Sequence, residues 1–145
     1  MIHQRVNTVL AVLVVLAGLY FGLGFLLDGQ GSAAGFGIDP WPQNDGYFVV
    51  KGVRDIAYGL TALVLLLLGH RRALGWVVLV DAIIPIGDCL AVITNGGTVP
   101  YALAVHGSAA VLVLITAASL LWETRKRSAG TPETTSSRAV ASPAH

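Results

Sequence analysis

The sequence predicts an all-α integral membrane protein, an up-down-up-down bundle of four helices. Three observations support this prediction. Hydrophobic residues make up 54% of the chain and charged residues only 12%, whereas soluble domains carry roughly 25% charged residues. Apolar runs recur that are long enough to cross a bilayer, since about 20 helical residues span its hydrocarbon core. The lysines and arginines that lie between and beyond these runs collect on one side of such a bundle.

The first helix is predicted over about residues 6–27, an apolar run without a charged residue. The run is longer than the roughly 7–15 residues of a signal-peptide core, which favours a membrane span over a cleaved signal. Gly18 and Gly22 stand four residues apart in it. That spacing allows two helices to approach closely, within one chain or between two copies.

The segment 28–46 is predicted to be a loop, because it is rich in Gly, Ser, Asn, Asp and Pro. It contains three Asp residues and no Lys or Arg. The large apolar residues Phe36, Ile38 and Trp41 indicate a loop that lies on the membrane interface, with Trp41 at the level of the lipid headgroups.

Three further helices are predicted, over about residues 48–69, 73–93 and 101–122. The basic turn His70-Arg71-Arg72 separates the second from the third. A polar turn that ends near Pro100 separates the third from the fourth.

The four helices form one predicted domain, residues 1–127. Residues 128–145 are mostly Ser, Thr, Ala and Pro without periodicity. Such a segment cannot bury enough apolar surface to order itself, so it is predicted to be a disordered cytoplasmic tail.

Several function classes are disfavoured by the composition. A net charge of +1 is too small to indicate a nucleic-acid partner. Cys89 is the only cysteine, and its apolar surroundings predict a small buried side chain. His3 and His70 lie at the opposite end of the bundle from His106, so no metal site is predicted, and no phosphate-binding glycine loop or other cofactor motif is present.

Orientation is predicted from the distribution of Lys and Arg. Arg5, the Arg71-Arg72 turn and the cluster Arg125-Lys126-Arg127 all fall on one side of a four-helix bundle. Both termini are therefore predicted to be cytoplasmic, in a multi-pass membrane protein. Lys51 is the one exception if it is counted as part of a loop.

The most informative charges lie inside the predicted helices. Lys51, Arg54 and Asp55 fall about 6–12 Å below the outer start of the second helix. Asp88 in the third helix and His106 in the fourth fall at about 7 Å on the same side. Charges within a membrane mark functional sites by default, so a polar site is predicted in the outer third of the bilayer.

Helical spacing adds two residues to this set. Tyr58 shares a helix face with Lys51 and Asp55. Asp81 lies seven residues before Asp88 on the same stripe, and Pro85 leaves the Asp81 carbonyl without its usual helical donor. Charges balance if Asp81 carries a proton. One alternative is that these residues form a structural set of ion pairs, an ion-pair knot, that fixes helix register. Another is that Lys51 only extends its ammonium group to the membrane interface, which is called snorkelling.

Several short motifs resemble one family of small membrane proteins. They are Gly35-Phe36-Gly37-Ile38, Lys51-Gly52-Val53-Arg54-Asp55 with Gly59, Arg72-Ala73-Leu74-Gly75-Trp76, Ile84-Pro85-Ile86-Gly87-Asp88 and Val105-His106-Gly107. In this order they resemble domain of unknown function 4267, an uncharacterised family of four-helix membrane proteins, over about residues 6–121. The general plan is also similar to that of DoxX-type membrane proteins. The resemblance implies a topology and a set of candidate residues, but no reaction.

The leading functional hypothesis is binding of a small, partly apolar molecule, together with a proton, at this polar cluster. Lys51 or Arg54 would neutralise an anionic or carbonyl group, and Asp88 with His106 would exchange the proton. One alternative is a proton-coupled exporter that acts as a homodimer through the Gly18/Gly22 face, with Asp81 as its coupling carboxylate. Another is an accessory subunit of a membrane complex. No residue pattern selects an enzyme.

Overall fold

A computed structural model describes residues 2–38, 40 and 45–129, with residues 126–129 described by their backbone. In these ranges the chain is all α-helical and contains no strand. The elements are α1 (Ile2–Leu27), α2 (Gly29–Ala34), α3 (Asp45–Leu67), α4 (Arg71–Asp81), α5 (Ile83–Thr94), α6 (Val99–Ala102), a π-helical turn (Leu103–Gly107) and α7 (Ser108–Ala129). The predicted all-α class is confirmed.

Three helical segments in the described chain are long and apolar enough to cross a membrane. They are Ile2–Leu27, Arg71–Thr94 and Val99–Arg125. The second segment joins α4 to α5 through Ala82, which keeps a right-handed helical conformation. Helix α3 is not among the three, because it contains Lys51, Arg54 and Asp55.

Glycines bring α1 and α3 into close, antiparallel contact. A Cβ atom at Gly18 would lie 3.1 Å from the Gly59 Cα, and a Cβ atom at Gly22 would lie 2.7 Å from the Gly52 carbonyl oxygen. The two backbones therefore meet where any side chain would keep them apart. The proposal that Gly18 and Gly22 form a face for a second copy is wrong, since α3 of the same chain already covers it.

The turns between helices follow from local chemistry. Gly69 has φ +72°, its amide donates to the Leu66 carbonyl, and the His70 amide donates to the Leu65 carbonyl. These two bonds form a Schellman motif, which ends α3 and lets α4 begin at Arg71. Thr98 caps α6 by accepting a hydrogen bond from the Tyr101 amide.

Two apolar clusters pack the interior. One is centred on Leu74, Val78 and Leu120, all fully buried. The other contains Phe25, Phe36, Phe48, Cys89, Val92 and Ala102. Cys89 is free and buried in this second cluster, as predicted.

The segment 28–46 differs from its prediction. It contains helix α2, which begins because the Asp28 carboxylate accepts a hydrogen bond from the Gly31 amide at 2.9 Å. Phe36 does not lie on the outside but is buried, with 8% of its surface exposed. Trp41 lies outside the described residues.

Helix ends also differ from their predicted positions. The fourth predicted helix, 101–122, begins earlier with α6 and continues in α7 to Ala129, so residues 128 and 129 of the predicted tail are helical. The third, 73–93, begins at Arg71 and is interrupted at Ala82. The rest of the predicted tail, residues 130–145, lies outside the described residues.

The α1–α3 contact leads to a test of stability. We expect Gly22→Ala to lower the free energy of unfolding by about 1–3 kcal/mol, because the new methyl group would overlap backbone atoms of α3. Thermal unfolding in detergent micelles would measure it. Gly87→Ala is the matched control, since open space surrounds Gly87 and Ala favours a helix by roughly 1 kcal/mol. Equal stability of the two variants would show that the close contact contributes nothing.

Candidate functional site

The polar cluster consists of Lys51, Arg54 and Asp55 on α3 and Asp88 on α5. Asp55 is its centre: its Oδ2 lies 3.1 Å from Lys51 Nζ and its Oδ1 lies 3.1 Å from Arg54 Nε. Lys51 Nζ also lies 3.7 Å from Asp88 Oδ2. The structure thus brings together the charges that helix depth predicted at one level, and it joins α3 to α5 through Lys51.

The ammonium group of Lys51 is enclosed by more than carboxylates. Its Nζ lies 4.9 Å from the ring centres of both Phe25 and Phe36. Such rings attract a cation through their negative faces. This contact explains why Phe36 turns inward from the segment that was predicted to lie on the interface. Lys51 does not snorkel, since only 12% of its side chain is exposed.

His106 is positioned by the π-helical turn and by Phe36. Its Nε2 lies 2.8 Å from the Phe36 carbonyl oxygen. A carbonyl only accepts, so Nε2 carries the hydrogen of this bond. The two rings also contact each other, with centres 4.5 Å apart. The partner of His106 is therefore the 28–38 segment, and no hydrogen bond to Asp88 is present among the described side chains.

A cavity of about 710 Å³ lies beside the polar cluster. Six of the seven predicted site residues line it: Lys51, Asp55, Tyr58, Asp81, Asp88 and His106. Arg54 does not, because it pairs with Asp55 from the side and 40% of its side chain is exposed. The remaining walls come mainly from apolar residues of α1, α5 and α7.

Asp81 differs from the other carboxylates of the cavity. Asp55 pairs with two cations, Asp88 lies near Lys51, and Asp28 caps α2. Asp81 makes no hydrogen bond or ion pair with any described residue. A carboxyl group without a protein partner in an apolar cavity can bind a proton or a cation, which makes Asp81 the most available group.

A second polar cluster, which the sequence analysis missed, lies at the other end of the helices. Arg71 Nε is 3.0 Å from Glu123 Oε1, and Arg71 Nη2 is 3.2 Å from Glu123 Oε2. Asn7 Nδ2 donates to Glu123 Oε2 at 2.7 Å, and Arg71 Nη1 donates to Thr8 Oγ1 at 3.1 Å. These bonds connect α1, α4 and α7.

The second cluster was missed because its members look like ordinary flanking residues. Arg71 belongs to a basic turn between predicted helices, and Glu123 stands two residues before the basic cluster Arg125-Lys126-Arg127. The available signal was Asn7, a polar residue in an otherwise apolar run, which is 6% exposed. No three His, Cys, Asp or Glu side chains gather to hold a metal ion within residues 2–38 and 45–125.

Comparison with known families identifies the chain. A family model described as a domain of unknown function (DUF4267) matches residues 15–120. The chain belongs to this family. The resemblance predicted from its motifs is thereby confirmed, and the match includes all seven predicted site residues but not Asn7 or Glu123. No match was found among curated proteins or solved structures.

The second cluster leads to a test with a neighbouring control. We expect Arg71→Met to lower the free energy of unfolding by about 3 kcal/mol, because it removes the cation that pairs with a carboxylate buried in the protein. Only 8% of the Glu123 side chain is exposed.

Arg72→Met is the control for this test. Arg72 is exposed and makes no ion pair with a described residue, so its loss should change stability by less than about 0.5 kcal/mol. Thermal unfolding in detergent micelles measures both variants. If the two lost the same amount, the Arg71–Glu123 pair would not be a stabilising contact.

Proposed function

We propose that this chain is a multi-pass membrane protein in which α1, α3, α4 with α5, and α6 with α7 form four antiparallel spans. Helix α3 has 23 residues, a length of roughly 35 Å at the usual rise, which is sufficient to cross a bilayer. Its glycine contacts place it alongside α1, a candidate span. Lys51 and Asp55 on this helix are offset by partners inside the protein.

In this arrangement both termini are cytoplasmic, and the polar cluster lies near the outer surface. Arg5, the Arg71-Arg72 turn and the cluster Arg125-Lys126-Arg127 then share the cytoplasmic side. The contacts of Asn7 and Arg71 with Glu123 support the same grouping, because they place the start of α1, the start of α4 and the end of α7 together.

Cysteine labelling tests this topology. In a Cys89→Ser background, which lacks any other cysteine, we expect Asn95→Cys to react with a membrane-impermeant maleimide on intact cells. Ser136→Cys should react only after the membrane is permeabilised, because an even number of spans returns the chain to the cytoplasm. Labelling of both positions from outside would refute four spans.

We infer further that the protein binds a small, partly apolar molecule in the 710 Å³ cavity. The observation that carries this function is the convergence of six predicted ionisable or phenolic residues on one largely apolar cavity. Binding sites for small molecules commonly combine apolar walls with a few convergent polar groups. A purely structural knot would leave the charges closed by direct pairs, whereas here Asp81 faces the cavity without a protein partner.

An uncharged dye, N-phenyl-1-naphthylamine, tests access to the cavity. With the protein in lipid nanodiscs, we expect a saturable increase in dye fluorescence that empty nanodiscs lack. Ala109→Trp should abolish it, because Ala109 lines the cavity and the indole would fill the space.

Ala118→Trp is the matched control, since Ala118 is exposed on the same helix and should leave binding unchanged. Equal binding by both variants and the unsubstituted protein, at equal helix content, would exclude the cavity as the binding site. No contact among the described residues favours export or an accessory-subunit role over ligand binding. Both hypotheses therefore stay predictions.

A further inference from the structure

The cavity is lined by more negatively than positively charged side chains, and these differ in how accessible they are to a ligand. This inference rests on the proposed function, because it concerns which molecule that cavity accepts. Among the described residues that line the cavity, Lys51 is the only Lys or Arg, whereas four are carboxylates. They are Asp28, Asp55, Asp81 and Asp88.

Lys51 is not free to bind an anion. Asp55 and Asp88 contact its ammonium group at 3.1 and 3.7 Å, and the rings of Phe25 and Phe36 enclose it at 4.9 Å. An anionic ligand would have to displace a carboxylate or enter between these groups. Arg54, the other candidate for an anion, does not line the cavity. The geometry therefore does not support the predicted role of these two residues toward an anionic or carbonyl group.

Asp81 offers the opposite chemistry. It ends α4, directly before the interruption at Ala82, and it lines the cavity without a hydrogen bond or ion pair to a described residue. The other titratable groups on the walls are Tyr20 on α1, Tyr58 on α3 and His106, whose Nε2 is engaged by the Phe36 carbonyl. Tyr20 and Tyr58 carry no positive charge, so neither competes with a cation for Asp81.

The walls suit an organic cation in a second, independent way. Three aromatic residues that do not enclose Lys51 line the described part of the space: Tyr20, Phe21 and Tyr58. Aromatic faces attract ammonium groups. Leu23 on α1 and Leu112 and Val113 on α7 provide surface for a hydrocarbon group.

We propose that the cavity binds a monovalent organic cation, an ammonium group joined to an apolar group, with the charge at Asp81 and the apolar part against α1 and α7. One carboxylate without a partner matches one positive charge.

Three molecules of nearly the same size and shape separate charge from hydrophobicity. They are benzyltrimethylammonium, its uncharged carbon isostere neopentylbenzene, and benzylsulfonate as the anion. Each competes with N-phenyl-1-naphthylamine for the protein in nanodiscs, and the concentrations are corrected for partition into empty nanodiscs. We expect the cation to displace the dye at about tenfold lower membrane concentration than neopentylbenzene, and benzylsulfonate to be weakest.

Substitutions assign the effect to one residue. Asp81→Asn should remove the advantage of the cation and leave displacement by neopentylbenzene unchanged, which also shows that the cavity is intact. Asp81→Glu should retain the advantage. Asp45→Asn is the control for loss of a negative charge elsewhere, since Asp45 lies in the first turn of α3 and does not line the cavity.

Two results would overturn the inference and leave the proposed function standing. One is displacement by benzylsulfonate at least as effective as by the cation, which would assign the charge of the site to Lys51. The other is an equal effect of cation and isostere that Asp81→Asn does not alter. Absence of saturable dye binding in the unsubstituted protein would instead refute the proposed function, and this inference with it.

Discussion

The paired burial of Asp55 is the interaction on which the rest of the structure depends. Asp55 is 8% exposed, and its carboxylate contacts two cations of its own helix, Lys51 and Arg54. It can occupy this position because glycines on both sides bring α1 against α3. If α1 were held away by side chains, water or lipid would reach the charges, and an unpaired ion in hydrocarbon is strongly unfavourable. Backbone contact and charge pairing therefore support each other.

The two polar clusters have different consequences for the chain. The cluster around Arg71 and Glu123 joins three helices with short, direct bonds, and its carboxylate is paired. The cluster around Asp55 borders a cavity, where Asp81 has no hydrogen-bond or ion-pair partner among the described residues. A cluster that only fixed helix register would have each carboxylate paired, as Glu123 is paired with Arg71. The difference between the ends is what gives the cavity its functional interest.

Much of this arrangement follows from the sequence, for identifiable reasons. Helical rise placed Lys51, Asp55, Asp88 and His106 at one depth, because depth depends only on residue number along a regular helix. The roles of individual side chains could not be predicted from helical rise. Phe36 lies in a segment without periodicity, so nothing indicated that its ring would cover Lys51 and its carbonyl would hold His106. Glu123 and Asn7 are 116 positions apart, and only the folded chain shows that they meet.

The pairing of Asp55 within α3 bears on how the chain enters a bilayer in the proposed arrangement. Both of its closest cations precede it by one and four residues, so the helix neutralises its own carboxylate as soon as it coils. Asp88 is synthesised later and reaches Lys51 only when α5 is in place. Residues 51–55 of α3 therefore keep one excess positive charge until the second half of the protein is in place, so stable insertion of α3 depends on α5.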